Sequence, residues 1–278
     1  MLHRAKCQIL AISPPTRSKA LLPFAFASLA LTRLVRIFVH FLFFSALTSS
    51  ALAQEEAAKR LVSELKGKSF QRKGEVVEVI LNDAQLEDDH LAVLLGFRSL
   101  TDLSLENTRV GDKGMAHLAK LLQLEWLNLY RTWVGDEGAR HLAKSQSLRM
   151  LPIGETNLTD AGLVHIGAMN QLTYLGLRGN KITDAGLLHL AKLENLEGLH
   201  LGETQVTDKG LRQLPVLTKL EKLWLHDLPI TDASIDALSK MESLRELYLD
   251  GTKLSAKGVK RLKVALPKCR VFHEAFPN

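Results

Sequence analysis

The stretch Leu172–Ala191, LTYLGLRGNKITDAGLLHLA, holds the plan of most of this chain. In its first half, Leu175 and Leu177 stand two apart, the period of a short strand with one buried face. From Asp184 onward the period changes, and Leu187, Leu190 and Ala191 fall at helical spacing. Neither segment can bury its apolar side alone. The unit needs neighbours built to the same pattern.

Stepping by 24 residues finds them. The opening L-x-x-L-x-L begins at Leu100, Leu124, Leu148, Leu172, Leu196, Leu220 and Leu244, with no insertion or deletion. A divergent copy with Val76, Val79 and Leu81 precedes these, so residues 76–267 make eight units. Stacking buries both stripes in one continuous core. Strands pack about 4.8 Å apart and helices about 8–10 Å apart, so the stack bends with its strands on the inner face.

The consensus L-x-x-L-x-L-x-x-T-x-V-T-D-x-G-L-x-x-L-A closely resembles the leucine-rich repeat, specifically the short T-D-x-G-L type common in exported bacterial proteins and similar to repeats of eukaryotic F-box proteins. The resemblance spans residues 76–273. It implies an α/β fold, a right-handed solenoid with a curved parallel sheet inside and helices outside. It says little about the ligand, because the family binds many different partners. Neither an F-box upstream nor a catalytic ligase domain is expected here.

Both ends read as caps. Residues 54–75 hold an amphipathic helix at Glu55–Lys66, with Ala58, Leu61, Val62 and Leu65 on one side, then strand, turn and strand through Lys73-Gly74. Residues 268–278 supply a last partial strand, Arg270–His273, and a tail.

Residues 1–53 read as an export leader. Arg33 and Arg36 precede the apolar run Ile37–Leu47, and Ser49–Ala53 ends in a small-x-small cleavage site before Gln54. The run is shorter than the roughly 20 residues of a membrane-spanning helix. The predicted product is periplasmic, cell-surface or secreted, with a membrane contact only through an uncleaved leader. Cys7 leaves with the leader, and Cys269 alone forms no internal disulfide. The formal net charge of +6 also belongs to the leader, which carries Arg4, Lys6, Arg17, Lys19, Arg33 and Arg36 and no acid. Without these, 30 basic residues balance 30 acidic ones, so nucleic acid is not an expected partner.

Several columns recur with the repeat. Asp88, Asp112, Asp136, Asp160, Asp184, Asp208 and Asp232 are expected to cap the first turns of their own helices rather than bind metal. The glycines two residues on, such as Gly114 and Gly186, lack the spacing of a phosphate loop and mark a close approach between coils. His117, His141, His165 and His189 lie on the helix flanks and are expected to be structural. Cys269 and His273 are too far apart along a strand, roughly 13 Å, to form a nucleophile and base.

The aromatic residues avoid every core leucine slot. Trp126, Tyr130, Trp133, Tyr174, Trp224 and Tyr248 all occupy variable positions. His200, Trp224, Tyr248 and Phe272 share one register, which predicts a ladder on the inner face, and Trp126, Tyr130 and Trp133 are expected to form a second cluster. Gly154, Gly176, Gly179, Gly198 and Gly202 lie between them and are expected to give a shallow floor. Polar groups nearby are Arg178, Glu203, His226, Asp227 and Asp250, with His226 and Asp250 equivalent in adjacent coils.

These features predict a monomeric, non-catalytic recognition module without cofactor or metal, which takes a protein or peptide partner on its concave strand face. Trp126, Trp224 and Tyr248 are the expected anchors, assisted by Tyr130, Tyr174 and Arg178. The competing readings are an envelope component whose stacked rings only stabilise strands, and a metal-assisted hydrolase using His200, His226 and Asp250.

Overall fold

The computed structural model describes residues 50–274. The compact unit begins at Ala51, so the leader reading falls outside the described residues except at its last few positions. Ten strands form one sheet in chain order: β1 (Lys68–Arg72), β2 (Glu75–Ile80), β3 (Asp102–Ser104), β4 (Trp126–Asn128), β5 (Met150–Pro152), β6 (Tyr174–Gly176), β7 (Gly198–His200), β8 (Lys222–Trp224), β9 (Glu246–Tyr248) and β10 (Arg270–Phe272). β1 and β2 form the anticipated antiparallel hairpin; its turn residues Lys73 and Gly74 have φ of 54° and 86°, the left-handed pair that a tight hairpin needs. Every later pairing is parallel and joins residues 24 apart, as in Leu175 with Leu199.

The helices are α1 (50–64), α2 (Asp112–Leu118), α3 (Asp136–Leu142), α4 (Asp160–Ile166), α5 (Asp184–Leu190), α6 (Asp208–Leu211), α7 (Ile235–Leu238) and α8 (Ala256–Ala265). Tighter 3-10 turns occupy Asp88–Gly96, Leu214–Val216 and Asp232–Ser234. The second of these contains Pro215, which cannot donate to a continuing α-helix. α1 starts before the expected Glu55 and runs without a break past Ala53 and Gln54. It closes where Lys66 turns left-handed, at φ 58°, and the Gly67 N–H donates to the Val62 carbonyl at 2.8 Å.

In each short strand the middle residue points inward. Val79, Leu103, Leu127, Leu151, Leu175, Leu199, Leu223 and Leu247 are fully buried, one above the next. The first and third residues of each strand therefore point to the concave face, where the aromatic ones are half-buried and Ser104 and Asn128 are covered.

The aspartate column differs from expectation. Thr159, Thr183, Thr207 and Thr231 cap their own helices through their hydroxyls. Each aspartate instead reaches forward to the next coil. Asp160 accepts from the Thr183 N–H at 2.9 Å and the Thr183 hydroxyl at 2.6 Å, and Asp112 accepts from the Gly135 N–H at 2.7 Å. All seven aspartates repeat this bond, so the column staples neighbouring coils together. The glycine two residues after Asp112, Asp136, Asp160, Asp184 or Asp208 makes room for the aspartate of the preceding coil: a Cβ on Gly162 would stand 2.5 Å from Asp136 Oδ1. The threonine column has a simpler task. Thr108, Thr132, Thr204 and Thr252 each donate to the carbonyl three residues back at 2.7 Å, satisfying the bend after the strand.

Candidate functional site on the strand face

The expected ladder occupies the third position of the last four strands. His200, Trp224, Tyr248 and Phe272 pair in register across β7, β8, β9 and β10. Successive ring centroids are 5.6, 5.4 and 4.4 Å apart, with interplanar angles of 25°, 9° and 4°. This is parallel stacking imposed by the strand spacing. Because the faces cover one another, an approaching molecule meets mainly ring edges.

A second row uses the first strand position. Trp126, Met150 and Tyr174 are successive partners across β4, β5 and β6. Met150 is 40% exposed, and its part in this row was not anticipated from sequence, since methionine there passes as an ordinary variable residue. The next place in the row is Gly198. A Cβ there would lie 2.8 Å from Tyr174 Cδ2 and 3.7 Å from Trp224 Cζ3, so Tyr174 leans across the gap. Its ring meets that of Trp224 edge-on, 6.1 Å between centroids at 77°. Gly198 thus joins the two rows into one diagonal band, from Trp126 to Phe272.

The glycines are not the bare floor expected. Neighbouring rings fill their places: Tyr130 lies against Gly154, Tyr174 against Gly176 and Gly198, and the His226 ring against Gly202. Gly179 has a conformational task, with φ of +69°.

Trp126, Tyr130 and Trp133 do not form the expected cluster, and no ring contact links them among the described residues. Trp126 is on β4, but Trp133 belongs to the loop before α3, 61% exposed with the Arg109 guanidinium 6.0 Å from its ring centre. The left-handed residue Arg131, at φ 56°, turns the chain away from the sheet between them. Tyr130 lies on the rim, donating its hydroxyl to Glu155, which also holds Arg131 at 2.7 Å. Burial, then that bond, raises the Tyr130 phenol above its usual range; Arg131 and then Tyr130 hold Glu155 low.

The rim continues with Arg178, paired to Glu203 at 2.5 Å, and then the two histidines. His226 Nε2 lies 3.2 Å from His200 Nε2, and His226 Nδ1 lies 3.0 Å from Asp227 Oδ2. Burial, then the neighbouring His226 and Arg178, pushes His200 down to about 4, so it is neutral at pH 7. The expected neighbourhood of His226 and Asp250 does not form between side chains. The His226 ring turns back over Gly202 toward His200, and Asp250 meets that coil through its carbonyl, which accepts from the Asp227 N–H at 2.9 Å. At the end of the ladder Glu246 accepts from Tyr248 at 3.0 Å and pairs with Arg270. Cys269 is unsuited to nucleophilic attack, because burial pushes its thiol up to about 11.

The family model of the leucine-rich repeat region matches residues 81–275. The chain belongs to the leucine-rich repeat family. Among solved structures it resembles an internalin from Listeria monocytogenes at 23% identity and TM-score 0.59, covering 72% of this chain and 54% of that one. It also resembles internalin C2 of the same organism at 22% identity and TM-score 0.57, covering 80% of this chain and 92% of that one. The ectodomain of the Arabidopsis receptor kinase HAESA, solved in complex with an IDA peptide hormone, matches at 20% identity and TM-score 0.53, over 73% of this chain and 35% of that one. No curated protein sequence matches the chain. No helix among the described residues is long and apolar enough to cross a membrane.

Proposed function

We propose that this protein is an exported, monomeric, non-catalytic recognition module that binds a protein or peptide along its concave strand face. The observation that carries this reading is the continuous band Trp126, Met150, Tyr174, Trp224, Tyr248 and Phe272, half-buried or exposed on a face bordered by charged groups. Large aromatic edges on a rigid scaffold give a partner apolar contact at low ordering cost. The leader-like residues 1–53 support export. The fold shared with a receptor ectodomain solved in complex with a peptide hormone supports a peptide ligand. Trp224 and Tyr248 are the central anchors, with Trp126 at the far end of the band and Tyr174 bridging. Tyr130 and Arg178 contribute as rim groups that are already paired.

A purely structural envelope role draws on one observation, that the ladder rings satisfy one another face to face. Affinity capture from the native source separates the two. The wild-type chain should retain a defined partner, and the Trp224→Ala, Tyr248→Ala double variant should lose it by at least about 30-fold. A convex-face control, Leu188→Ser, should keep it. Equal capture by all three chains rules the strand face out.

A further inference from the structure

We propose that His200 and His226 form a binding site for a zinc-class metal dication on the rim of the strand face, with Glu203, which stands beside His226, turning in as a third ligand when the ion binds and Asp227 as the group that orients His226. This departs from the sequence reading, which expects no metal and looks to Asp250 for the carboxylate.

The first argument is distance. A tetrahedral ion with metal–nitrogen bonds of about 2.0–2.1 Å holds two imidazole nitrogens about 3.3 Å apart. His200 Nε2 and His226 Nε2 face each other at 3.2 Å. The same spacing serves an N–H···N hydrogen bond when no ion is bound, so the pair is already at ligand distance.

The second argument is the surrounding shell. Asp227 Oδ2 is 3.0 Å from His226 Nδ1, and a carboxylate there accepts a hydrogen bond from Nδ1–H, which fixes the proton on Nδ1 and leaves the Nε2 lone pair directed at His200. A carboxylate oxygen of Glu203, a ring nitrogen of His226 and a carboxylate oxygen of Asp227 lie within 4.8 Å of one another; His200 falls outside that set, so Glu203 joins the histidine pair by turning its carboxylate toward it. Arg178 engages only Oε1 of Glu203, leaving Oε2 available. Both histidines are also fixed in place. His200 stacks on Trp224, and Gly202 alone permits the His226 position, since a Cβ there would stand 2.5 Å from the ring.

One cost sets the strength of the site. Metal on His200 Nε2 places the proton on Nδ1, which is buried without a hydrogen-bond partner. The site is therefore exchangeable rather than a structural centre on which folding depends. Two histidines and one carboxylate leave a fourth position for water or for a side chain of a partner.

The test is calorimetric titration of the full chain, stripped with chelator, using zinc chloride alone. One ion per chain should bind saturably. Either His200→Ala or His226→Ala should weaken binding by at least about 100-fold, and Asp227→Asn by about 10–100-fold. His165→Ala and His189→Ala, in the helical histidine column, should leave it unchanged. Circular dichroism confirms that each variant folds, and His200→Gln gives a less disruptive second variant at the stacked position. Absence of saturable binding overturns the proposal, as does binding that survives loss of both His200 and His226 or that disappears with the helical histidines.

Discussion

Gly198 carries no side chain, and for that reason Tyr174 can reach Trp224 across the coil between them. Replacing it with valine sets a branched Cβ against the Tyr174 ring and divides the aromatic band without touching any ring. The ring faces an open surface and can swing aside, so Gly198→Val should cost no more than about 1–3 kcal/mol in denaturant unfolding. It should nevertheless weaken partner capture by at least about tenfold, the loss of one good contact. Unchanged capture would mean that the two rows act separately. The registers of these residues were legible in the sequence because the 24-residue period fixes which positions share a strand face. The tilt of each ring was not, because it depends on the neighbour it meets: glycines read as gaps turn out to be the seats of Tyr130, Tyr174 and His226. A column of left-handed residues was equally hidden. Asp83, Asn107, Arg131, Glu155, Glu203 and Asp227 adopt it at the same place as Gly179 and Gly251, and only the glycines signal it by residue type.

Between elements, the repeated aspartate is the main polar tie. A periodic Asp before a helical pattern reads naturally as a cap, and sequence spacing does not show whether its carboxylate bonds its own helix or the next. At Asp160, Asp184, Asp208 and Asp232 a threonine hydroxyl takes the cap, but Asp112 and Asp136 follow Gly111 and Gly135 and serve the next coil all the same. Asp232 shows the consequence for pH. The Ser255 hydroxyl and N–H hold its carboxyl below its ordinary 3.8, so the folded state favours the charged form. Its contribution to stability is thus complete above pH 3.8 and is lost as pH falls through the lower folded value. Wild type should melt above Asp232→Ala at pH 7, and the gap should close in strongly acidic buffer. A gap independent of pH would assign the effect to packing instead.

For the whole molecule, the invariant period makes each coil exchangeable with its neighbours, which is why the fold was readable almost in full from one 20-residue stretch. Deleting residues 148–171 removes one complete period and sets Asp136 beside Thr183, with the spacing that Asp160 has now. That shortened chain should fold cooperatively, with helical and strand content per residue unchanged by circular dichroism. Deleting 148–159 leaves half a period and should prevent folding, because it sends core leucines outward. Similar behaviour of the two deletions would refute the one-dimensional description. The ends were less legible: α1 begins ahead of Glu55 because Ser50, Ala51, Leu52 and Ala53 continue the helix as readily as Glu55, Glu56 and Ala57 do.

The forward reach of the aspartates also gives the stack a polarity along the chain. Every carboxylate serves the coil that comes after it, so a chain emerging from its amino end presents a finished acceptor to donors that have yet to arrive. Each fresh turn is laid on a prepared seat, as one course of bricks is laid on the last.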